Sequence, residues 1–247
     1  MTKRIVLVLV LLAGLVSSAF ARERIVLMDF LMSAEMIAPY AKQKVTRYNH
    51  SCGPTSTLFI YNYYIYKNSG GRKVLLSSDN VRDSSRLVNL AKYSIRKIYQ
   101  TMGQRVNTDT RTFDSLVDVG IYRYNFKNVE QRSMYDSLET NLNYLIEDLK
   151  DGIPAIISLK GQRNGEGIVW KNGKRVYIHK THSTNPVGNW NHIVVIFGYD
   201  KKYNDRFSNN DIIYYFDPYF GKHHYMTLAE LKKVANQDNM DYLRFGQ

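Results

Sequence analysis

The hydrophobic pattern of this chain changes from helical to strand-like spacing at Gly152. Before Gly152, the segment 133–150 carries apolar residues on one helical side: Leu138, Leu142, Leu145, Ile146 and Leu149. After Gly152, short apolar runs suit strands at 153–159, 191–199, 212–216 and 223–226. Because the helices precede the strands instead of alternating with them, we predict an α+β fold in which an N-terminal helical half packs on a C-terminal antiparallel sheet.

Further elements are predicted on either side of these segments. An aromatic helix is expected to follow Cys52, with Pro54 in its first turn, where no backbone N–H is needed, and to end at the breaker 67–71. A second helix, capped at Ser78 or Asp79, extends to about residue 98. We also predict short helices at 114–119 and 228–236, a short strand or helix at 25–31, and a hairpin with an Asn-Gly turn between 168–170 and 176–178.

Residues 1–21 have the pattern of a signal peptide. Lys3 and Arg4 precede the apolar run 5–16, and the small-x-small site at 19–21 predicts cleavage before Arg22. The run is short for a membrane span, although an uncleaved anchor is the alternative. We therefore expect an exported bacterial protein, periplasmic or secreted, whose mature chain of residues 22–247 forms one domain without a transmembrane segment.

The net charge of the chain is +12, and loss of Lys3 and Arg4 with the signal peptide leaves +10. A basic exported protein tends to associate with an anionic cell-envelope surface or with an acidic partner. A solvated basic face that aids solubility is an equally good explanation. Nucleic acid is not expected as a partner, because the sequence contains no zinc-finger, RNA-binding or helix-turn-helix pattern.

Cys52 is the only cysteine in the sequence. Exported proteins normally use cysteines in disulfide pairs, so a single thiol suggests intermolecular pairing, a buried inert group or a reactive group. Cysteine attacks as a thiolate, which a helix N-terminus and a neighbouring imidazolium both favour. The predicted helix start at Cys52 provides the first of these, and Gly53 leaves the backbone room to approach a substrate.

His192 and Asp217 are the best candidates to complete a site with Cys52. His192 opens an apolar strand, and Asp217 ends another directly before Pro218. If these strands are neighbours, Asp217 can orient the His192 ring, as the third member of a catalytic triad does. The alternatives are a surface histidine at a strand edge and a turn-forming Asp-Pro pair.

The other histidines are weaker candidates. His50 is too close in sequence to Cys52 to act as the base, although it can line the cleft, and His179 and His182 lie in a polar loop. His223 and His224 are adjacent on a predicted strand and face opposite sides, so they do not share one metal ion. We predict no metal and no cofactor.

Five segments resemble, in order, those of the C39-like cysteine peptidases, a branch of the papain-like superfamily. They are 52–56 (CGPTS) before the aromatic helix, 151–157 (DGIPAII), 191–200 (NHIVVIFGYD), 215–218 (YFDP) with Gly221, and 228–231 (LAEL). The resemblance covers residues 43 to about 236. It implies that Cys52 is the nucleophile, His192 the general base and then acid, and Asp217 the orienting group.

The resemblance also implies a glutamine upstream of the cysteine that donates to the oxyanion. Gln43 is the only glutamine before Cys52, and its alternative is a solvated side chain between Lys42 and Lys44. The predicted function is an exported cysteine peptidase that hydrolyses peptide bonds of a peptide or protein through a thioester acyl-enzyme. Two alternatives stay open: an amidase or acyltransferase on peptidoglycan peptides, and a papain-like binding or maturation module without turnover.

The substrate does not follow from this resemblance. C39 peptidases proper cut leader peptides after paired glycines and are fused to exporters. This sequence contains no exporter domain, so their substrate is not carried over to it.

Overall fold

Helices and strands segregate along the chain in the computed structural model, which describes residues 23–47, 51–75, 84–101, 128–132, 137–160, 191–203, 206–234 and 242–246. The described residues form six helices. In chain order these are α1 (Met28–Ala41), α2 (Gln43–Thr46), α3 (Cys52–Asn68), α4 (Ser84–Thr101), α5 (Leu138–Lys150) and α6 (Leu228–Val234).

A sheet of seven strands forms the other part of the described structure. The strands are β1 (Arg24–Val26), β2 (Asn128–Arg132), β3 (Ala155–Lys160), β4 (Asn191–Asp200), β5 (Ile212–Asp217), β6 (Lys222–Thr227) and β7 (Tyr242–Gly246). Their order is β2-β7-β3-β4-β5-β6, β1 pairs with β4, and the pairs are antiparallel. The predicted α+β class, with early helices on a late antiparallel sheet, is confirmed.

Strand β4 is the centre of the molecule because both of its faces are buried. Ile193, Val195 and Phe197 join a core with α1, α3 and α4 on one side of the sheet. Val194 and Ile196, which alternate with them, join a second core with α5 and α6 on the other. Burial on both faces explains why this strand reads as an unbroken apolar run in the sequence.

Helix α3 is buried nearly all round, in keeping with its aromatic sequence. The rings of Phe59 and Phe216 lie 4.7 Å apart between α3 and β5. Asn62, which is fully buried, donates to the Ser33 carbonyl (2.8 Å) and accepts from the Leu75 N–H (2.7 Å). The helix is therefore fixed to the sheet by apolar packing and to α1 by a satisfied polar group.

Helix α1 is the largest departure from the predicted elements. We expected only a short element at 25–31, and the structure has strand β1 followed by a helix of 14 residues. Its buried side chains include Phe30, Ala34, Ile37 and Ala41, a helical stripe in which small alanines alternate with larger residues. The alanines and the internal Pro39 weaken that stripe in the sequence.

Other boundaries were predicted within a few residues. Helix α5 begins at Leu138 instead of 133, where Ser137 accepts a hydrogen bond from the Thr140 N–H. Strands β2 and β7 and the short helix α2 were not predicted. The predicted helix at 114–119, the hairpin at 168–178 and the helix cap at 78–79 lie outside the described residues.

Within the described part of the chain, none of the helices combines the length and apolar character that a membrane span requires. The predicted signal peptide at 1–21 lies outside the described residues, so export stays a prediction.

Candidate active site

Cys52 is the first residue of α3, and its side chain is buried. Pro54 occupies the first turn, as its lack of an N–H allows. Ser51, the N-cap residue, makes no side-chain cap hydrogen bond, and its hydroxyl accepts from the Thr55 hydroxyl at 3.5 Å. The cysteine therefore lies at the positive end of a helix of 17 residues, which favours an anion at this position.

Ser56 ties the start of α3 to the start of β4. Its hydroxyl, one turn after Cys52, lies 3.5 Å from the carbonyl oxygen of Ile193, a weak contact at that distance. Ile193 directly follows His192 in the sequence. Together with the packing of α3 on β4, this brings the cysteine and histidine to the same end of the sheet.

His192 and Asp217 are in direct contact. Nε2 of His192 lies 3.0 Å from Oδ1 of Asp217, and both side chains are buried. Strands β4 and β5 are neighbours and pair Val195 with Phe216, so the start of one strand lies beside the end of the other. The two strand ends meet, as the sequence analysis required for a shared site.

The side chain of Cys52 also interacts with His192 and helps to raise the pKa of that ring. Because Nε2 faces Asp217, the ring nitrogen that remains for the thiol is Nδ1. Burial opposes a charge on this ring, but the charge of Asp217, its hydrogen bond and the Cys52 side chain together raise the pKa of His192 to about 10. Both neighbours therefore favour the protonated imidazole, with a carboxylate on one side and a thiol on the other.

Asp217 combines the two roles that the sequence left as alternatives. Its Oδ1 accepts from His192 and also from the Tyr219 N–H at 2.8 Å, which closes a turn through Pro218. Its Oδ2 is buried and has no hydrogen-bond partner among the described residues. The negative charge of Asp217 is therefore compensated through Oδ1, chiefly by His192.

Two buried polar side chains, Tyr215 and His224, lie beside Asp217 on the sheet. Their rings are 5.5 Å apart. Burial and then Asp217 raise the pKa of Tyr215 well above its usual value, whereas burial lowers the pKa of His224 although Asp217 opposes this. Neither residue was predicted as part of the site, because a tyrosine in an apolar strand has the pattern of a core residue.

Gln43 begins α2, and its residue is only 8% exposed. The alternative of a solvated side chain between two lysines is therefore wrong. Its backbone N–H donates to the carbonyl of Pro218 (2.9 Å), and the next N–H, of Lys44, donates to that of Tyr219 (3.1 Å). Helix α2 is attached to the turn that follows Asp217, a connection between distant segments that no local pattern indicates.

Apart from His224, the remaining histidines are exposed or lie outside the described residues. His50, His179 and His182 belong to the latter. His223 is exposed and pairs with Glu35 at 2.9 Å, whereas His224 is buried, so the two point to opposite faces of β6. Among the described residues, there is no group of three or more His, Cys, Asp or Glu side chains arranged to hold a metal ion.

Residues 37–247 match the protein-family model described as the Peptidase_C39 like family. A search of curated proteins gave no match. The matched range contains all four residues of the candidate site.

Proposed function

Because the chain belongs to the peptidase C39-like family, we propose that it is an exported cysteine peptidase that hydrolyses peptide bonds through Cys52, His192 and Asp217. Its α+β architecture is the papain-like fold of that family. One observation carries the proposal: a buried thiol at a helix start interacts with a buried histidine, whose Nε2 lies 3.0 Å from the carboxylate of a buried aspartate.

The resting site is proposed to be an ion pair of a Cys52 thiolate and a His192 imidazolium. The raised pKa of His192, about 10, supports the charged ring at neutral pH. The uncapped start of α3 supports the anion on sulfur. Such a pair makes the nucleophile ready before substrate binds, so no proton must leave sulfur during the attack.

In the acylation step, Sγ of Cys52 attacks the carbonyl carbon of the scissile peptide bond. The electron pair of the C=O moves to oxygen, where the Cys52 N–H and the side-chain amide of Gln43 stabilise the negative charge. A single donor of this kind is worth about 2.7–4 kcal/mol of the barrier. As the C–N bond breaks, Nδ1 of His192 gives its proton to the leaving amine, which leaves a thioester and a neutral imidazole.

In the deacylation step, the neutral His192 takes a proton from water, and the resulting hydroxide attacks the thioester carbon. The C–S bond breaks, the acid product leaves, and the thiolate and imidazolium are restored. Asp217 keeps the second proton on Nε2 throughout, so that Nδ1 always faces the reacting atoms. Its role is to orient the ring and to stabilise its charge.

The test is hydrolysis by the purified chain, with a panel of peptides and purified peptidoglycan as substrates. Cys52→Ala and His192→Ala should each abolish turnover, because removing either group disables both chemical steps. His223→Ala is the matched control, since that histidine is exposed and paired with Glu35. Cleavage of peptidoglycan peptides alone would move the assignment to the amidase alternative.

Labelling with a thiol-directed warhead separates a peptidase from a binding module. The wild type should be labelled at Cys52 far faster than a free thiol, and His192→Ala should lose that advantage. Undiminished hydrolysis by Cys52→Ala, or a Cys52 as slow as a free thiol, would contradict the proposal.

A further inference from the structure

The turn at residues 218–221 lies directly against the junction of α1 and α2. The junction consists of Lys42 alone, which lies between Ala41, the last residue of α1, and Gln43, the first of α2. Two backbone hydrogen bonds cross the contact, from Gln43 to Pro218 at 2.9 Å and from Lys44 to Tyr219 at 3.1 Å. The turn therefore supports the segment that carries Gln43.

Gly221 closes this turn and forms the tightest part of the contact. It has a φ of +63°, and its N–H donates to the Asp217 carbonyl at 2.8 Å. A Cβ at this position would lie 2.9 Å from Cβ of Lys42 and 3.0 Å from Cβ of Ala38. Both atoms are fixed to the backbone, so rotation of a side chain cannot relieve either clash.

If residue 221 carried a side chain, the clash would move α2 more easily than it would move Asp217. Asp217 is held by the ladders of β5 with β4 and β6 and by its hydrogen bond to His192. Helix α2 is a single turn of four residues, and the two crossing hydrogen bonds join it to the turn 218–221. The displaced group would therefore be Gln43.

We propose that Gly221 is a positioning residue, whose missing side chain lets the turn 218–221 hold Gln43 at the active site. The catalytic part of this inference rests on the proposed function of Gln43 as oxyanion donor. The mechanical part, that Gly221 sets the attachment of α2, is independent of any activity.

The experiment compares Gly221→Ala with Gly70→Ala. Gly70 has nearly the same φ, +62°, but a Cβ there would meet no atom within 4 Å, so this control carries the backbone strain without the contact. Amide hydrogen exchange at Gln43 and Lys44, turnover, and alkylation of Cys52 by iodoacetamide are measured on the full chain.

In Gly221→Ala, protection from exchange at Gln43 and Lys44 should fall, and turnover should drop roughly 100-fold, as expected for a misplaced catalytic group. Alkylation of Cys52 should be nearly unchanged, because it needs the thiolate but no oxyanion donor. A merely structural defect would lower both rates together. Adding Lys42→Gly removes the nearer clash and should restore part of the protection and turnover.

The inference is overturned if Gly221→Ala loses no more protection at these two amides than Gly70→Ala, or if turnover falls while protection is kept. If the wild type hydrolyses no substrate, the proposed function is contradicted. The exchange data would still show whether Gly221 sets the attachment of α2 to the turn 218–221. If Gly221→Ala does not fold, Ala38→Val is compared in its place, since it adds atoms to the same contact without positive-φ strain.

Discussion

Nε2 of His192 and Oδ1 of Asp217 lie 3.0 Å apart where the start of β4 meets the end of β5. Both groups are buried, so the contact is shielded from water and has few other partners. This contact helps to raise the pKa of His192 to about 10, although burial alone would favour the neutral ring. The charge state of the proposed site therefore depends on Asp217.

Asp217→Asn should shift the alkaline limit of activity to lower pH. In the wild type, the carboxylate is a main cause of the raised His192 pKa, so it favours the imidazolium needed as acid into the alkaline range. Without its charge, the His192 pKa falls, and turnover at neutral pH should fall by about 10²–10⁴-fold. The pH profile of kcat/KM checks this, with Glu35→Gln as control because Glu35 pairs with the exposed His223. An unshifted alkaline limb would contradict the role of Asp217.

The raised pKa of His192 also predicts how stability varies with pH. The Cys52→Ala variant is used so that the His192 ring is followed without its neighbouring thiol. A group whose pKa is higher in the folded state than its ordinary 6.5 stabilises the fold fully below 6.5, and that contribution is lost as pH rises through the folded value. Part of the rise to about 10 comes from Cys52, so in the variant the loss should be complete at a lower pH.

Urea unfolding of Cys52→Ala between pH 6 and 10 should therefore show a decline of a few kcal/mol, at roughly 1.4 kcal/mol for each unit by which the pKa is raised. Adding Asp217→Asn should flatten this decline. A stability that does not depend on pH across this range would show that the buried ring is not charged.

The parts of the site that the sequence predicted are those encoded by local patterns. Gly53 and Pro54 mark a helix start at Cys52, and apolar runs that end in polar residues mark the strand ends at His192 and Asp217. That β4 and β5 are neighbours was a hypothesis that required the structure. The ladder between them supplies the contact through tertiary pairing.

The elements that were not predicted depend on contacts far along the chain. Helix α2 has only four residues, too few for a periodic pattern, and its hydrogen bonds go to Pro218 and Tyr219. Strand β2 (NVEQR) is mostly polar in sequence, and among the described residues it lies at the end of the sheet order and pairs with β7. Neither element has a hydrophobic signature, so only the assembled fold reveals them.

Gln43→Ala should reduce kcat by about 10²–10³-fold while leaving the alkylation rate of Cys52 unchanged. The reason is that the amide stabilises the charge on substrate oxygen, which exists only during turnover. Gln131→Ala, a change in the edge strand β2, is the control for general effects on the fold. A parallel loss of turnover and alkylation would assign Gln43 to structure instead of the oxyanion site.

The predicted signal peptide at residues 1–21 implies that the mature chain begins at Arg22. Mass spectrometry of the protein recovered from the exported fraction of a bacterial host should give this N-terminus. Ala21→Arg places a large charged residue at the small-x-small site, so it should block processing. An intact N-terminus on the exported wild-type protein would favour the uncleaved anchor.

Tyr215→Phe should stabilise the protein by about 1 kcal/mol, which is unusual for a change beside a proposed catalytic residue. The Tyr215 hydroxyl is buried and has no hydrogen-bond partner among the described residues, so its removal relieves a desolvation penalty. Tyr199→Phe is the matched control. That buried hydroxyl donates to Oδ2 of Asp211 at 2.7 Å, so its loss should destabilise the fold by about 1–3 kcal/mol.

Equilibrium unfolding in urea measures both tyrosine variants under the same conditions. The opposite signs are expected because the two hydroxyls differ in hydrogen bonding while both lie on strands of the same sheet. If Tyr215→Phe instead destabilises the fold as much as Tyr199→Phe does, the Tyr215 hydroxyl is hydrogen-bonded in solution. A simultaneous shift of the alkaline limb of activity would identify Oδ2 of Asp217 as the group to which that hydroxyl is linked.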